Sequence, residues 1–174
     1  MKIIKIAVLF LMLSLLSCEK NSVSKPEDVG KKVFEVLKRI DKKTISDYNI
    51  QVITYNDFED LRNNPNTKLG DYRNELKSYT PEKFKKMTIS NFKGIKTDGT
   101  HFKIDWKKII FLNFELQNFE FGYPNGLLGK TYFKNSDGKE YFVKSMSFYD
   151  GKGFKTIAVG QLERKGSTKV HWIN

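Results

Sequence analysis

The chain has 174 residues, a formal net charge of +11 and a single cysteine, Cys18. One cysteine excludes an internal disulfide, and a chain of this length builds one domain whose core stands unaided. Of 31 cations only Arg39, Arg62, Arg73 and Arg164 are arginines; the other 27 are lysines spread between acids, which argues against nucleic acid and for solvated basic faces near an anionic surface.

The first eighteen residues carry the strongest pattern. Met1-Lys2-Ile3-Ile4-Lys5 is short and basic, residues 6–16 are apolar apart from Ser14, and Leu15-Leu16-Ser17-Cys18 closes the segment. These are the three regions of an export signal. The apolar run falls short of the ~20 residues that a transmembrane helix requires. Leu15 and Leu16 also lack the small residues of an ordinary Ala-x-Ala cleavage site.

The ending resembles the lipobox of bacterial lipoproteins, with an aliphatic residue at Leu15, a small one at Ser17 and then the cysteine. The resemblance implies cleavage before Cys18, a diacylglycerol on its sulfur and an acyl group on the new amino terminus. The expectation is a membrane-anchored lipoprotein of the cell envelope, held through acyl chains on Cys18, each buried methylene contributing about 0.8 kcal/mol. Glu19, where an Asp would imply inner-membrane retention, implies the outer membrane. The lack of a run of acids after Cys18 implies its periplasmic face. The expected organisation is a signal peptide over 1–17, the lipidated cysteine and a flexible polar tether over 18–25, one domain over 26–165 and a tail over 166–174.

In chain order, the first element is a helix. Ser24-Lys25-Pro26-Glu27 fits a capping box with Ser24 as N-cap. Val29, Val33, Phe34, Val36, Leu37 and Ile40 share one face at helical spacing, and the helix is expected to end near Asp41. A second helix is expected over 45–61, with Ile45, Tyr48, Val52 and Tyr55 on one face and Ile50, Ile53 and Leu61 on another. Alternation at Ile50, Val52 and Thr54 leaves a strand over 48–54 as the alternative. Asn63-Asn64-Pro65-Asn66 breaks the chain. Leu69, Tyr72, Leu76 and Tyr79 mark a short helix. Thr80 and Pro81 start another as N-cap and first helical residue, with Phe84 and Met87 on its buried side.

The pattern then changes to strands. Asp98-Gly99 reads as a turn, with strands from about His101, in keeping with the 14% aromatic content. Ile110, Leu112, Phe114 and Leu116 share one parity, whereas Phe119 and Phe121 share the other, so a β-bulge within 116–118 is expected to return all six to one face, with Phe114 and Phe119 facing the helix of Val33 and Leu37. Tyr123-Pro124-Asn125-Gly126, Asp137-Gly138 and Asp150-Gly151 are turns. They separate strands over 127–134, 139–149 and 154–163, giving a four-stranded antiparallel meander. The tail reads as frayed or as a last short strand carrying Val170, Trp172 and Ile173.

Helices followed by a bulged meander make an α+β fold, with N-terminal helices packed on a bent antiparallel sheet in a cone-like roll. Over 26–163 this order resembles the nuclear transport factor and cystatin-like superfamily, whose members include enzymes, ligand binders and interaction modules. Enzymes of that superfamily hold Asp and His inside the cone. Here the only histidines are His101, beside the expected turn, and His171, in the tail; Asp105 could approach His101, but a charged turn is the simpler reading. No catalytic residue, metal site or cofactor is expected, for no phosphate loop, nucleophile elbow or ligand cluster is present. Two functions lead. One is a non-enzymatic binding or interaction module for an unidentified envelope partner. The other is a small-molecule binder, enzymatic or not, whose pocket is lined by Phe111, Phe114, Phe119, Phe133, Phe142 and Phe148. An immunity protein against a secreted toxin, which fits the size and anchor, stands apart as a third possibility.

Overall fold

A computed structural model describes residues 22–67, 69, 72–117 and 126–166. The fold is α+β: helices packed on a curled five-stranded antiparallel sheet of order β1-β5-β4-β3-β2. The sheet comprises β1 (Ser22–Val23), β2 (Ile110–Gln117), β3 (Gly126–Lys134), β4 (Glu140–Tyr149) and β5 (Phe154–Arg164). The helices are α1 (Pro26–Leu37), α2 (Ile45–Gln51), α3 (Tyr55–Asn63), α4 (Tyr72–Lys77) and α5 (Pro81–His101). Strands β2 to β5 form the expected meander, and β1 adds to its far edge. The polar stretch expected as a tether therefore joins the sheet at Ser22 and Val23, opposite Lys155 and Phe154.

Helix α1 buries Val29, Val33, Phe34, Val36 and Leu37, and Ile40 follows them into the core. Its ends differ from expectation. Lys25, not Ser24, is the N-cap, and no side chain caps it. Pro26 at the first helical position has no N–H to leave unpaired, and the Asp28 N–H donates to Lys25 O at 3.1 Å. The helix stops at Leu37 because Arg39 adopts a left-handed conformation, φ 56°, which turns Ile40 back inward. The freed carbonyls of Glu35 and Val36 accept from Lys43 Nζ at 3.0 and 2.7 Å, so a cation closes the negative end of the helix. Burial pushes the Lys43 ammonium down from its ordinary value, against the opposing pull of Glu35 and Asp47.

The single helix expected over 45–61 is two, and the alternative strand over 48–54 does not form. Thr44 with Asp47 and Thr54 with Asp57 each build a complete capping box. The second box restarts the chain as α3 after Val52 and Ile53, both buried, whereas Ile50 is 56% exposed. Thr80 caps α5 as expected, accepting from the Lys83 N–H. Phe84 is buried and Met87 partly so.

Asp98-Gly99 is not a turn. Helix α5 runs through it to His101, and the first meander strand starts only at Ile110. Gly99 serves packing: a Cβ there would lie within 2.9 Å of three atoms of the Trp106 indole. The stop comes at Lys103, left-handed at φ 54°, with Phe102 N–H donating to Asp98 O and Ile104 N–H to Gly99 O.

Strand β2 carries a bulge that was not expected, at Leu112, and none is seen at Leu116 or Gln117. Phe111 opposes Phe133 and Asn113 opposes Tyr132, so Leu112 is the extra residue. Leu116 and Gln117 pair regularly with Gly129 and Leu128; Asn118, Phe119 and Phe121 lie outside the described residues. The bulge brings Phe111 and Phe114 onto the inner face and turns Ile110 (62% exposed) and Leu112 outward. Leu116, expected inward, is also exposed at the strand end. Phe114 does face α1: a Cβ on Gly30 would meet its Cβ, Cγ and Cδ2 within 2.8 Å. Strand β5 carries two further irregularities, at Ile157 and at Gln161, which add to the curl.

Candidate functional site

Cys18, the residue expected to carry acyl chains, lies outside the described residues, as do His171 and the segment 167–174. No helix of the described residues is long and apolar enough to cross a membrane, and no group of three or more His, Cys, Asp or Glu among them is placed to hold a metal ion.

The described aromatics expected to line an interior pocket mostly pack against other aromatic rings. Phe111 meets Phe34 edge-on at 5.5 Å. Phe133 sits between Trp106 (5.8 Å) and Tyr141 (5.9 Å). Phe148 stacks on Tyr72 at 5.5 Å. Phe142 lies on the outer face, 5.3 Å from Tyr132, with Lys130 Nζ 5.1 Å from its ring centroid. On the same face burial, and then Glu115, push the Tyr132 phenol up to about 12.

Two surface grooves have the size and mixture of groups that suit a ligand or a partner's side chain. The first, about 360 Å³, lies where the C-terminus of α5, the 102–108 connection and the 3₁₀ turn Ile40–Lys42 meet. Trp106 and Ile104 contribute apolar surface; Asp41, Lys96, Thr100, Lys103, Asp105 and Lys107 contribute the polar groups. This arrangement follows from the helix stop. Left-handed Lys103 turns the chain so that Trp106 packs back on Gly99, and Arg39 N–H donates to Trp106 O at 3.3 Å, tying the end of α1 to it. Lys96 Nζ donates to Asp41 O (3.0 Å) and Lys43 O (3.4 Å) and lies 5.0 Å from the Phe92 centroid. Asp105 pairs with Lys108 at 3.2 Å and accepts from the Lys107 N–H. Its own N–H donates to Asn135 Oδ1 at 3.0 Å. His101 packs on Phe102 at 5.1 Å. Asp105 is thus engaged with Lys107, Lys108 and the Asn135 turn, and His101 ends helix α5 instead of lying beside a turn.

The second groove, about 310 Å³, spans the outer face of β3, β4 and β5. Leu128, Met146 and Ala158 are aligned across the three strands. Asn91 of α5, Lys144, Ser145, Gly160 and Gln161 complete the lining. Gly160 lets α5 approach, since a Cβ there would sit 3.0 Å from Asn91 Oδ1. Beside it Tyr48 OH donates to Val159 O at 2.7 Å, which satisfies a carbonyl of a strand that β1 pairs only at Phe154 and Lys155. Burial raises the Tyr48 phenol well above its ordinary value. The Ser145 and Thr131 hydroxyls are buried without a hydrogen-bond partner.

Neither groove was legible in the sequence. The available signals were Trp106 between Asp105 and Lys107, and Leu128, Met146 and Ala158 at outward positions of successive strands. The fold is α+β, helices packed on a curled antiparallel sheet, as the cone-like roll expected from the sequence requires. No protein family, curated protein or solved structure matches the chain.

Proposed function

We propose that this protein is a lipid-anchored lipoprotein of the bacterial cell envelope, held at the outer membrane on its periplasmic side. Its domain acts there as a non-enzymatic binding module for an envelope partner. The observation that carries the reading is Leu15-Leu16-Ser17-Cys18 after a basic start and a short apolar run. The cysteine is the only one in the chain and stands where an acyl acceptor stands. The domain supports the second half of the reading. The Trp106 groove sets Lys96, Lys103 and Lys107 beside Asp41 and Asp105 around a small apolar surface, and Asp105 is paired with Lys108, which suits recognition of a polar surface rather than bond-making chemistry. The competing reading, a small-molecule site among the interior aromatics, loses its support where Phe111, Phe133 and Phe148 pack into the core.

Metabolic labelling with a fatty-acid probe tests the anchor. The native chain is expected to incorporate the probe and fractionate with membranes, and Cys18→Ala to do neither. Equal labelling of the two proteins refutes the reading. Crosslinking in intact envelopes from Lys103 and Lys107 is expected to capture a protein partner that the same chemistry at Lys31 does not.

A further inference from the structure

The covalent distance between the proposed anchor and the fold is short. Cys18 is four residues from Ser22, and an extended chain spans at most about 3.6 Å per residue, so the two lie within roughly 14 Å of each other. Ser22 and Val23 are held in the domain by their pairing with Lys155 and Phe154. They lie so close to the β4–β5 turn that a Cβ on Gly153 would be 2.9 Å from Val23 O. The α3–α4 connection gathers at the same end. Asn64 Nδ2 donates to Asp150 O at 2.9 Å, and Lys155 pairs with Asp150 at 3.6 Å and Asp57 at 3.8 Å. Lys25 and Lys152 are exposed there, with Glu27 and Asp60 the exposed acids nearby in sequence. The opposite end is the β3–β4 turn, where Asn135 Nδ2 donates to Lys103 O and Asp105 N–H to Asn135 Oδ1, beside the Trp106 groove. Strand β4 joins the two ends with ten residues, about 33 Å at the usual rise.

We propose that the end built from β1, the 150–153 turn and Asn64 rests on the lipid headgroups of the bilayer, and that the Trp106 groove is held at the far end, facing the aqueous space. This rests on the lipid anchor proposed above. The acyl chains fix one point at the membrane, the short link keeps β1 beside it, and Lys25 and Lys152 favour an anionic headgroup surface. Strand β4 then runs away from the membrane towards the groove.

Acylation of Cys18 leaves an introduced cysteine as the only free thiol, which makes the test direct. Lipidated full-length protein carrying Lys152→Cys or Lys139→Cys is labelled with a fluorophore and reconstituted into vesicles of phosphatidylethanolamine and phosphatidylglycerol containing a nitroxide-headgroup lipid. Quenching severalfold stronger at position 152 than at 139 is expected, and a long Gly-Ser insertion after Glu19 is expected to abolish the difference. Equal quenching at the two positions in the native-length protein, or stronger quenching at 139, overturns the orientation. Flotation with the vesicles is read first: protein that floats and is quenched equally refutes the orientation alone, whereas protein that carries no acyl group and does not float refutes the anchor and the orientation together.

Discussion

Phe114 is clamped between two glycines, and this makes the contact between α1 and the sheet open to measurement. A Cβ on Gly30 would lie within 2.8 Å of Phe114 Cβ, Cγ and Cδ2, and a Cβ on Gly129 would lie closer than 3.0 Å to Cε2 and Cζ at the ring tip. Gly94 on α5 has nothing within 4 Å of the same position. In a helix interior alanine is favoured over glycine by about 0.8–1 kcal/mol, so Gly94→Ala should stabilise the protein by that amount. Gly30→Ala receives the same propensity gain but meets Phe114 at its Cβ, which cannot move unless α1 leaves β2. Overpacking of this kind costs about 1–3 kcal/mol, and the close approach to backbone-fixed atoms puts Gly30→Ala at the upper end. A net loss near 2 kcal/mol lowers Tm by roughly 4–8 °C in a domain of this size. Gly129→Ala should also destabilise, because the ring is held at its root by Gly30 and cannot swing aside. Phe114→Leu removes the ring-tip atoms, so Gly129→Ala should cost little in that background, a coupling of about 0.5–3 kcal/mol in a double-mutant cycle. Thermal and urea unfolding of the native chain, the four single variants and the double variant provide the measurement. If Gly30→Ala raises Tm as Gly94→Ala does, or if the effects of Gly129→Ala and Phe114→Leu simply add, Phe114 does not hold α1 against the sheet.

Other outcomes follow from single contacts. Leu37 is fully buried, and Leu37→Ala should cost about 2–5 kcal/mol in urea unfolding; an unchanged midpoint would contradict that burial. Thr54→Ala removes the box that restarts the chain as α3 and should cost about 0.5–2 kcal/mol, with Thr54→Ser recovering most of it. Hydrogen bonds from the Thr44 backbone N–H and then its hydroxyl hold the Asp47 carboxyl below its usual 3.8. Because the folded value is the lower one, its contribution is full above the unfolded value and is lost as pH falls through the folded one. The stability gap between the native chain and Asp47→Asn should therefore narrow in acid below that range, and a pH-independent gap would show that the carboxylate does not cap α2.

Local chemistry alone determined a good part of this molecule. The single apolar face of α1 follows from helical spacing, the break at Pro65 and the start of α5 from proline and threonine, and two hairpins from Asp137-Gly138 and Asp150-Gly151, whose glycines adopt φ of 83° and 95°. Each of these is decided by residues a few positions apart. The helix ends were not legible, because α1 and α5 stop at left-handed Arg39 and Lys103, neither of them a residue that prefers that conformation. Only the fold supplies what compensates them: the Lys43 ammonium at the end of α1, and Trp106 packed beside the end of α5. Gly99 shows the same dependence, since beside Asp98 it reads as a turn, whereas in the structure its missing side chain makes room for an indole seven residues on. The parity of residues 110–121 called for a bulge within 116–118, whereas the one in the described part of β2 falls at Leu112, where Phe111 and Phe114 close on Phe34 and Gly30. The Trp106 groove joins residues from 41 to 107, and the outer-face groove residues from 91 to 161. Periodicity relates neighbours along the chain and contains no term for such distant meetings; they were decided by the tertiary packing of α1 and α5 on the sheet.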